Sequence, residues 1–337
     1  MKILKIILII LILIILIFLA GILFLPEYLS YTVNEKDITL EVQPGDNLRD
    51  VAQKLADLNA IRSETFFYYK GRNIANNIKT GEYVIYPQMP IENIYEVITK
   101  GNDSKTIRIT FPEGFTLYQF ATRLEENGLV GKDEFIDATE EYFEKNLSNY
   151  VDNSQMYFSL EGYLFPETYF FSEKQNAEEI VQWLVDTLND KWTREMEEQR
   201  EKLNMTKHEI LTIASLIERE AYNDEERARI SGVIYNRLEI GMPLQIDASV
   251  IYGKGEGRDH TSIITKNDLL EANPYNTYVN RGLPPGPIAS PGFNSIIAAL
   301  YPEEHEYYYY VMGKNGHVFA QTYEEHLKNV EEYRKMQ

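Results

Sequence analysis

A carboxylate in apolar company is the first feature of this chain that could do chemistry. In the stretch EILTIASLIEREAYNDEERARI, at about 100° of turn per residue, Leu211, Ala214, Ala221 and Tyr222 fall on the same side of a helix as Glu218, whereas Arg219 and Glu220 point elsewhere. An isolated ionised carboxylate is costly to bury, so such a group takes up a proton, finds a cation, or faces a cleft where its raised proton affinity is used. The last option is what a general acid needs. The competing option is a structural pair with an internal arginine, Arg227 or Arg237. The five histidines are scattered, with no HExxH and no close pair, so no metal and no cofactor are expected.

The elements that must hold these groups can be read along the chain. The Glu218 helix is followed by a second helix, ERARISGVIYNRLEIG, and then by a region from Met242 to Pro291 rich in Gly, Pro and Asn, the composition of loops that carry function. Upstream, the aromatic, Pro-interrupted SLEGYLFPETYFFSE leads into one long charged amphipathic helix, AEEIVQWLVDTLNDKWTREMEEQREKL. Downstream, EYYYYVMGKNGHVFAQ predicts two strands about a Gly-Lys-Asn-Gly turn, with a polar helix from Tyr323.

The N-terminal third contains a repeat. ITLEVQPGDNLRDVAQKL reads as strand, turn and helix, and IRITFPEGFTLYQFATRL repeats it 69 residues later, with Gly114, Leu117, Ala121 and Leu124 in register with Gly45, Leu48, Ala52 and Leu55. Between the copies, a Gly-led strand precedes a helix that starts after Pro90 and ends at Gly101. Two copies are too few for a solenoid, so they are read as two related small α/β units. Ahead of them, Ile6 to Leu25 is a run of 20 uncharged residues, long enough as a helix to cross a hydrocarbon core of about 30 Å. Lys2 and Lys5 precede it and acidic residues follow it, which puts the N-terminus inside and the bulk of the chain outside. A formal charge of −19 argues against nucleic acid as a partner, and the absence of cysteine removes disulfides and thiolate chemistry.

Four stretches taken together, IASLIEREA, ISGVIYNRLEIGMPLQIDASVIYGKG, NPYNTYVNRGLPPGPIASPG and SLEGYLFPETY, resemble the endolytic murein transglycosylases, the MltG or YceG-like family, over nearly the whole chain. VQPGDNLRDVAQKL followed by GEYVIYP also resembles a LysM-like peptidoglycan-binding module, whose other reading is a spacer that binds nothing. The expected fold class is α+β: an N-terminal transmembrane helix, small LysM-like α/β units, then a mixed α/β catalytic domain. The boundaries are a tail at 1–5, the span at 6–25, a linker at 26–37, the LysM-like subdomain at 38–100, the second small unit at 101–150 and the catalytic domain at 151–337.

The resemblance implies that Glu218 is catalytic and that the substrate is the MurNAc-β-1,4-GlcNAc bond of nascent, membrane-attached glycan strands, cut without water to leave 1,6-anhydroMurNAc ends. One carboxylate then suffices, because the sugar's own C6 hydroxyl is the nucleophile. Gln245 and Asn276 are candidates to hydrogen-bond sugar groups, and Tyr163, Tyr275 and Tyr278 to stack on sugar rings; turn formation and core packing are the alternatives for each. Asp247 is the second carboxylate that a hydrolytic muramidase would need, Arg237 is a candidate to position a carboxylate, and the Pro-Pro-Gly run within Leu283 to Pro287 is expected to shape a cleft wall. A non-catalytic wall-binding protein is the alternative from another class. Peptidoglycan synthases of the elongation or division machinery fit as partners. The expected location is the cytoplasmic membrane, single-pass, with the working part on the outer side. Protease added to spheroplasts should therefore digest nearly the whole chain; protection of the large domain while an exported control is cut would reverse that topology.

Overall fold

The computed structural model describes residues 25–75, 77–101, 106–258 and 263–335. The expected span at 6–25 lies outside these residues except for Leu25, and among the described residues no helix is long and apolar enough to cross a membrane. Among the described residues the architecture is mixed α/β, with helices and three two-stranded sheets. It divides into two compact units, one running through Arg108 and including Phe170–Lys174, the other comprising Ile109–Tyr169 and the chain from Gln175 onward. Most of the second repeat copy, from Ile109, belongs to the larger unit.

Both repeat copies fold as their sequences predict. β1 (Ile38–Val42) runs into a turn at Gly45, whose φ of +97° favours glycine, and α1 (Leu48–Asp57) follows. Asn47 caps α1 by accepting from the N–H groups of Arg49 and Asp50, while the Asp50 carboxylate accepts from the Asn47 N–H. Leu48, Val51, Ala52 and Leu55 are buried, which is the face that the spacing predicts. α2 (Glu64–Gly71) leads to β2 (Gly81–Ile85), antiparallel to β1 with Ile38 opposite Ile85 and Val42 opposite Gly81. α3 (Ile91–Lys100) closes this core with Ile91, Ile94 and Ile98. In the second copy, β3 (Thr106–Thr110), Gly114 at φ +77° and a Thr116–Gln119 capping box lead into α4 (Leu117–Glu126). The strand paired with β3 is β4 (Thr168–Ser172).

The larger unit continues with α5 (Lys132–Asn146), and the long amphipathic helix of the sequence proves to be two, α6 (Ala177–Lys191) and α7 (Arg194–Lys202). The break is at Trp192, which is extended, and Thr193, whose hydroxyl caps the Met196 N–H and starts a new helix. At the centre lies α8 (Lys207–Glu220), in which every residue from Ile210 to Ile217 is buried. It packs against α9 (Asp224–Glu239), α10 (Asp247–Lys254) and α11 (Phe293–Leu300), the last unforeseen because its sequence FNSIIAAL is too short to show a helical period. The hairpin β5 (Tyr309–Gly313) and β6 (Gly316–Ala320) forms as expected, with Tyr309 opposite Ala320, and α12 (Tyr323–Arg334) packs on it.

One buried carboxyl ties the second repeat copy into the larger unit. Glu161 is fully enclosed, accepts hydrogen bonds from the Leu117 N–H at the start of α4 (2.9 Å) and from the Tyr252 hydroxyl (3.1 Å), and burial pushes its pKa up to about 8. A carboxyl raised from its ordinary 4.5 in the folded state contributes stability that is complete below 4.5 and lost as pH rises through about 8. Unfolding free energy should thus fall between pH 5 and pH 8, and Glu161→Gln should flatten that slope; an unchanged slope in denaturant titrations would show that Glu161 does not carry it.

Candidate functional site

The carboxylates at the end of α8 leave the helix in different directions. Glu218 enters the interior, where its Oε2 accepts from the Ser295 hydroxyl (2.7 Å) and the Gly292 N–H (3.0 Å) and pairs with the Arg227 guanidinium at 3.2 Å. The two side chains of that pair are 8 % and 12 % exposed, and Arg227 also donates to Ser295 and to Asp224. Here the competing expectation, a Glu paired to Arg227, describes what is found. The helical-arc reading fails for two reasons: α8 is buried all round from Ile210 to Ile217 rather than on one face, and it ends at Glu220, so Ala221 is extended and Tyr222 is exposed.

Glu220, assigned to another face by periodicity, lines a cleft of about 470 Å³. Its Oε2 accepts from the Tyr310 hydroxyl at 3.0 Å. Burial raises its pKa above the ordinary carboxylate range; the Tyr310 hydrogen bond opposes this, while repulsion from Asp247 adds to it. Asp247 stands at the first turn of α10 in the same cleft and accepts from the Tyr278 hydroxyl at 2.6 Å. Gln245 lines the cleft as well, on backbone held at φ +51° by the bonds from Gln245 N–H to Thr277 carbonyl and from Ile246 N–H to Thr277 hydroxyl. The site thus contains a carboxyl of raised proton affinity, a second carboxylate, an amide and phenols facing one open volume. That set can donate a proton to a leaving oxygen and hydrogen-bond a polyhydroxylated ligand.

The other expected site residues separate into cleft and core. Gln245 and Tyr278 are in the cleft. Asn276 is buried, its amide N–H groups donating to the Asp268 and Glu271 carbonyls and its oxygen accepting from the Tyr278 N–H, so it builds the loop and offers nothing to a ligand. Tyr163 is buried with its hydroxyl against His208 Nδ1 (3.0 Å), and Tyr275 is fully buried between Tyr157 and Tyr252; neither ring has a free face. Arg237 also lines the cleft and interacts electrostatically with Glu220, but its hydrogen bonds go to the carbonyls of Tyr308, Pro243 and Leu244, fixing the chain just before Gln245. The Pro-Pro-Gly run is no wall of this cleft; it packs beside His208, whose Nε2 meets the Pro285 carbonyl at 2.9 Å.

Two contributors to the cleft, and one acid beside Glu218, were missed. Glu220 had a sequence signal, since the uncharged run from Ile210 to Ile217, broken only by the small Thr212 and Ser215, points to a helix buried on all sides, from which any carboxylate escapes only at the end. Tyr310 looked like one aromatic of four. Glu113 lies where a Cβ on Gly292 would overlap its carboxyl, and its pKa is raised by burial and by the nearby Glu218. Its signal was a departure from the repeat, in which Glu113 stands where the first copy has Pro44.

The family model described as the YceG-like family matches residues 40–332. A Bacillus subtilis (strain 168) protein named endolytic murein transglycosylase is 34% identical over 315 residues, covering 89% of this chain and 86% of that protein. A Streptococcus pneumoniae (serotype 2, strain D39) protein of the same name is 28% identical over 327 residues, covering 89% of this chain and 59% of that longer protein. A crystal structure of a yceG-like protein from Listeria monocytogenes aligns with a TM-score of 0.62 at 34% identity, over 88% of this chain and 99% of that one.

The Glu218 network makes a stability prediction. Replacing Arg227 by Met leaves a nearly buried carboxylate without its cation and should cost about 3–5 kcal/mol, whereas Arg227→Met combined with Glu218→Gln should recover much of it. A single variant as stable as the parent would show that the pair is not what holds α8, α9 and α11 together.

Proposed function

The chain belongs to the YceG-like family, and on that premise we propose that it is a membrane-anchored lytic transglycosylase that cuts peptidoglycan glycan strands internally, with Glu220 as the proton carrier. The observation that carries this reading is the Glu220 carboxyl, raised in proton affinity and open to a cleft. Glu218, by contrast, is engaged by Arg227, Ser295 and Gly292. The names of the Bacillus and Streptococcus relatives support the substrate class.

In the first step protonated Glu220 gives its proton to the oxygen of a MurNAc-β-1,4-GlcNAc bond as that bond breaks, leaving positive charge at the MurNAc C1. The Tyr310 hydroxyl then steadies the carboxylate that remains. In the second step the MurNAc C6 hydroxyl attacks C1 and passes its proton to Glu220, closing a 1,6-anhydro ring and restoring the acid. Asp247, held by Tyr278, is suited to stabilise the positive charge, and Gln245 to orient a hydroxyl or N-acetyl group. Cutting nascent strands at the outer face of the cytoplasmic membrane would end their elongation. The unit formed by β1, α1, α2 and β2 is suited to hold glycan as a LysM-like module would.

A second reading has one observation in its favour: Asp247 in the same cleft could activate water, which would make the enzyme a hydrolytic muramidase. Product mass separates the two. Incubated with nascent peptidoglycan, the full-length protein should release glycans whose MurNAc ends are one water lighter than reducing ends, and Asp247→Asn should slow the reaction without changing that mass. Reducing ends in the products would establish hydrolysis instead, and no cleavage at all would leave a binding protein.

A further inference from the structure

Two titratable groups at the cleft, buried Glu226 and the cleft-lining His317, are not used by the reaction. Glu226, in the first turn of α9, is buried with an exposure of 5 %, and its carboxylate accepts from the Nδ1–H of His317 (2.8 Å), from the His317 backbone N–H (3.0 Å) and from the Tyr222 N–H. A carboxylate is an acceptor only, so Nδ1 must carry a proton and the ring's orientation is fixed. Burial pushes the Glu226 carboxyl up, but these donors outweigh burial and hold it ionised, below the ordinary range.

Each donor leads toward Glu220. Tyr222 is two residues beyond it, so the bond to Glu226 pins the chain where α8 ends. His317 is on β6, opposite Met312 in the hairpin, and its ring meets Tyr310 of β5 edge to face, with centroids 5.1 Å apart at 80°. Tyr310 is the residue whose hydroxyl holds Glu220 Oε2. One buried carboxylate therefore grips both β6, the strand paired with the one that bears the proton carrier's hydrogen-bond partner, and the chain just beyond the helix end that bears the carrier itself.

We propose that Glu226 and His317 form a buried clamp that fixes Tyr310 against Glu220, making His317 a positioning residue for proton transfer in this cleft. The proposal rests on the assignment of Glu220 as proton carrier. A contact relayed through a ring edge transmits orientation more than charge, so the clamp acts chiefly on where the Tyr310 hydroxyl sits. His317 also stabilises the Glu220 carboxylate electrostatically. Glu220 is hydrogen-bonded by Tyr310 from β5 and feels the charges of Asp247 from α10, His317 from β6, Arg237 from α9, Tyr278 from the loop after α10 and Arg219 from its own helix; His317 and, from α12, His326 line the same cleft. Asp247 favours the protonated acid, whereas His317 and the Tyr310 hydroxyl favour the carboxylate. Loss of the clamp should therefore move the titration of Glu220 upward.

The test uses the full-length protein in detergent and reads Glu220 in two ways. A water-soluble carbodiimide with an amine reports the protonated fraction of Glu220 at each pH by peptide mass, and initial rates on nascent peptidoglycan give the pH profile. His317→Phe keeps a ring against Tyr310 but cannot bond Glu226. It should raise the titration midpoint of Glu220 by about one pH unit, move the alkaline limb of kcat the same way, and lower kcat about tenfold with KM little changed. His317→Gln, which can still donate to Glu226, should fall between His317→Phe and the parent. Tyr310→Phe should shift the midpoint in the same direction, and the shift in the double variant should be smaller than the sum of the two. A folded His317→Phe protein with an unmoved Glu220 midpoint, or shifts that add in full, would overturn the clamp. The carbodiimide reading does not depend on turnover, so a protein that cuts no glycan would refute the proposed activity and leave the clamp to be judged by titration alone.

Discussion

The ion pair between Glu218 and Arg227 is the constraint on which the site depends. It sits where α8, α9 and α11 converge, and because Ser295 and the Gly292 N–H complete it, the N-terminus of α11 is fixed in the same bond set. Charged groups with this little exposure are tolerated only when their partners are in position, so the pair specifies the rotation of α8 about its own axis. Once that rotation is set, Glu220, two residues on and about 200° around, has one direction left, into the cleft. The glycine at 292 belongs to the same constraint, since a side chain there would displace the Glu113 carboxyl.

The cleft is then assembled from loops tied to that frame. Arg237 draws the carbonyls of Pro243 and Leu244 and of Tyr308 to one guanidinium, and Thr277 holds the chain at Gln245 and Ile246. The Gln245 amide, the Asp247 carboxylate and the Tyr310 hydroxyl thus reach one volume from α10, its preceding loop and β5 without any of them lying on a flexible tip. This is the rigidity that proton transfer requires, because donor and acceptor must meet within hydrogen-bond distance at the moment the bond breaks.

Much of the fold was legible because its signals are local. The paired glycines Gly45 and Gly114, the apolar spacing that follows each, and the hairpin about Gly313 and Gly316 are short-range patterns that sequence carries directly. The long helix was misread because Thr193 acts as a cap only when Trp192 turns out of the helix, and α11 was missed because eight residues with two polar ones, both in the first turn, are too few to show a period. The site was harder for a related reason. Periodicity assigns a face only to a helix with an exposed side, and α8 has none along Ile210 to Ile217. Asn276, Tyr163 and Tyr275 have the residue types of a sugar site, yet whether such a group faces a ligand or a neighbouring loop is decided by long-range contacts, here with Glu271, His208 and Tyr252.

That α8 delivers one carboxylate to structure and the other to chemistry is the central claim, and turnover of two isosteric variants tests it most directly. Glu220→Gln and Glu218→Gln each preserve shape while removing a titratable proton, and general acid–base catalysis is worth roughly 10²–10⁴-fold. With release of anhydro-ended glycan from nascent peptidoglycan as the measure, Glu220→Gln should lose activity by that factor while remaining folded, and Glu218→Gln should keep the larger share of turnover while its melting temperature shifts. The reverse pattern, an inactive but stable Glu218→Gln protein beside an active Glu220→Gln protein, would contradict the account.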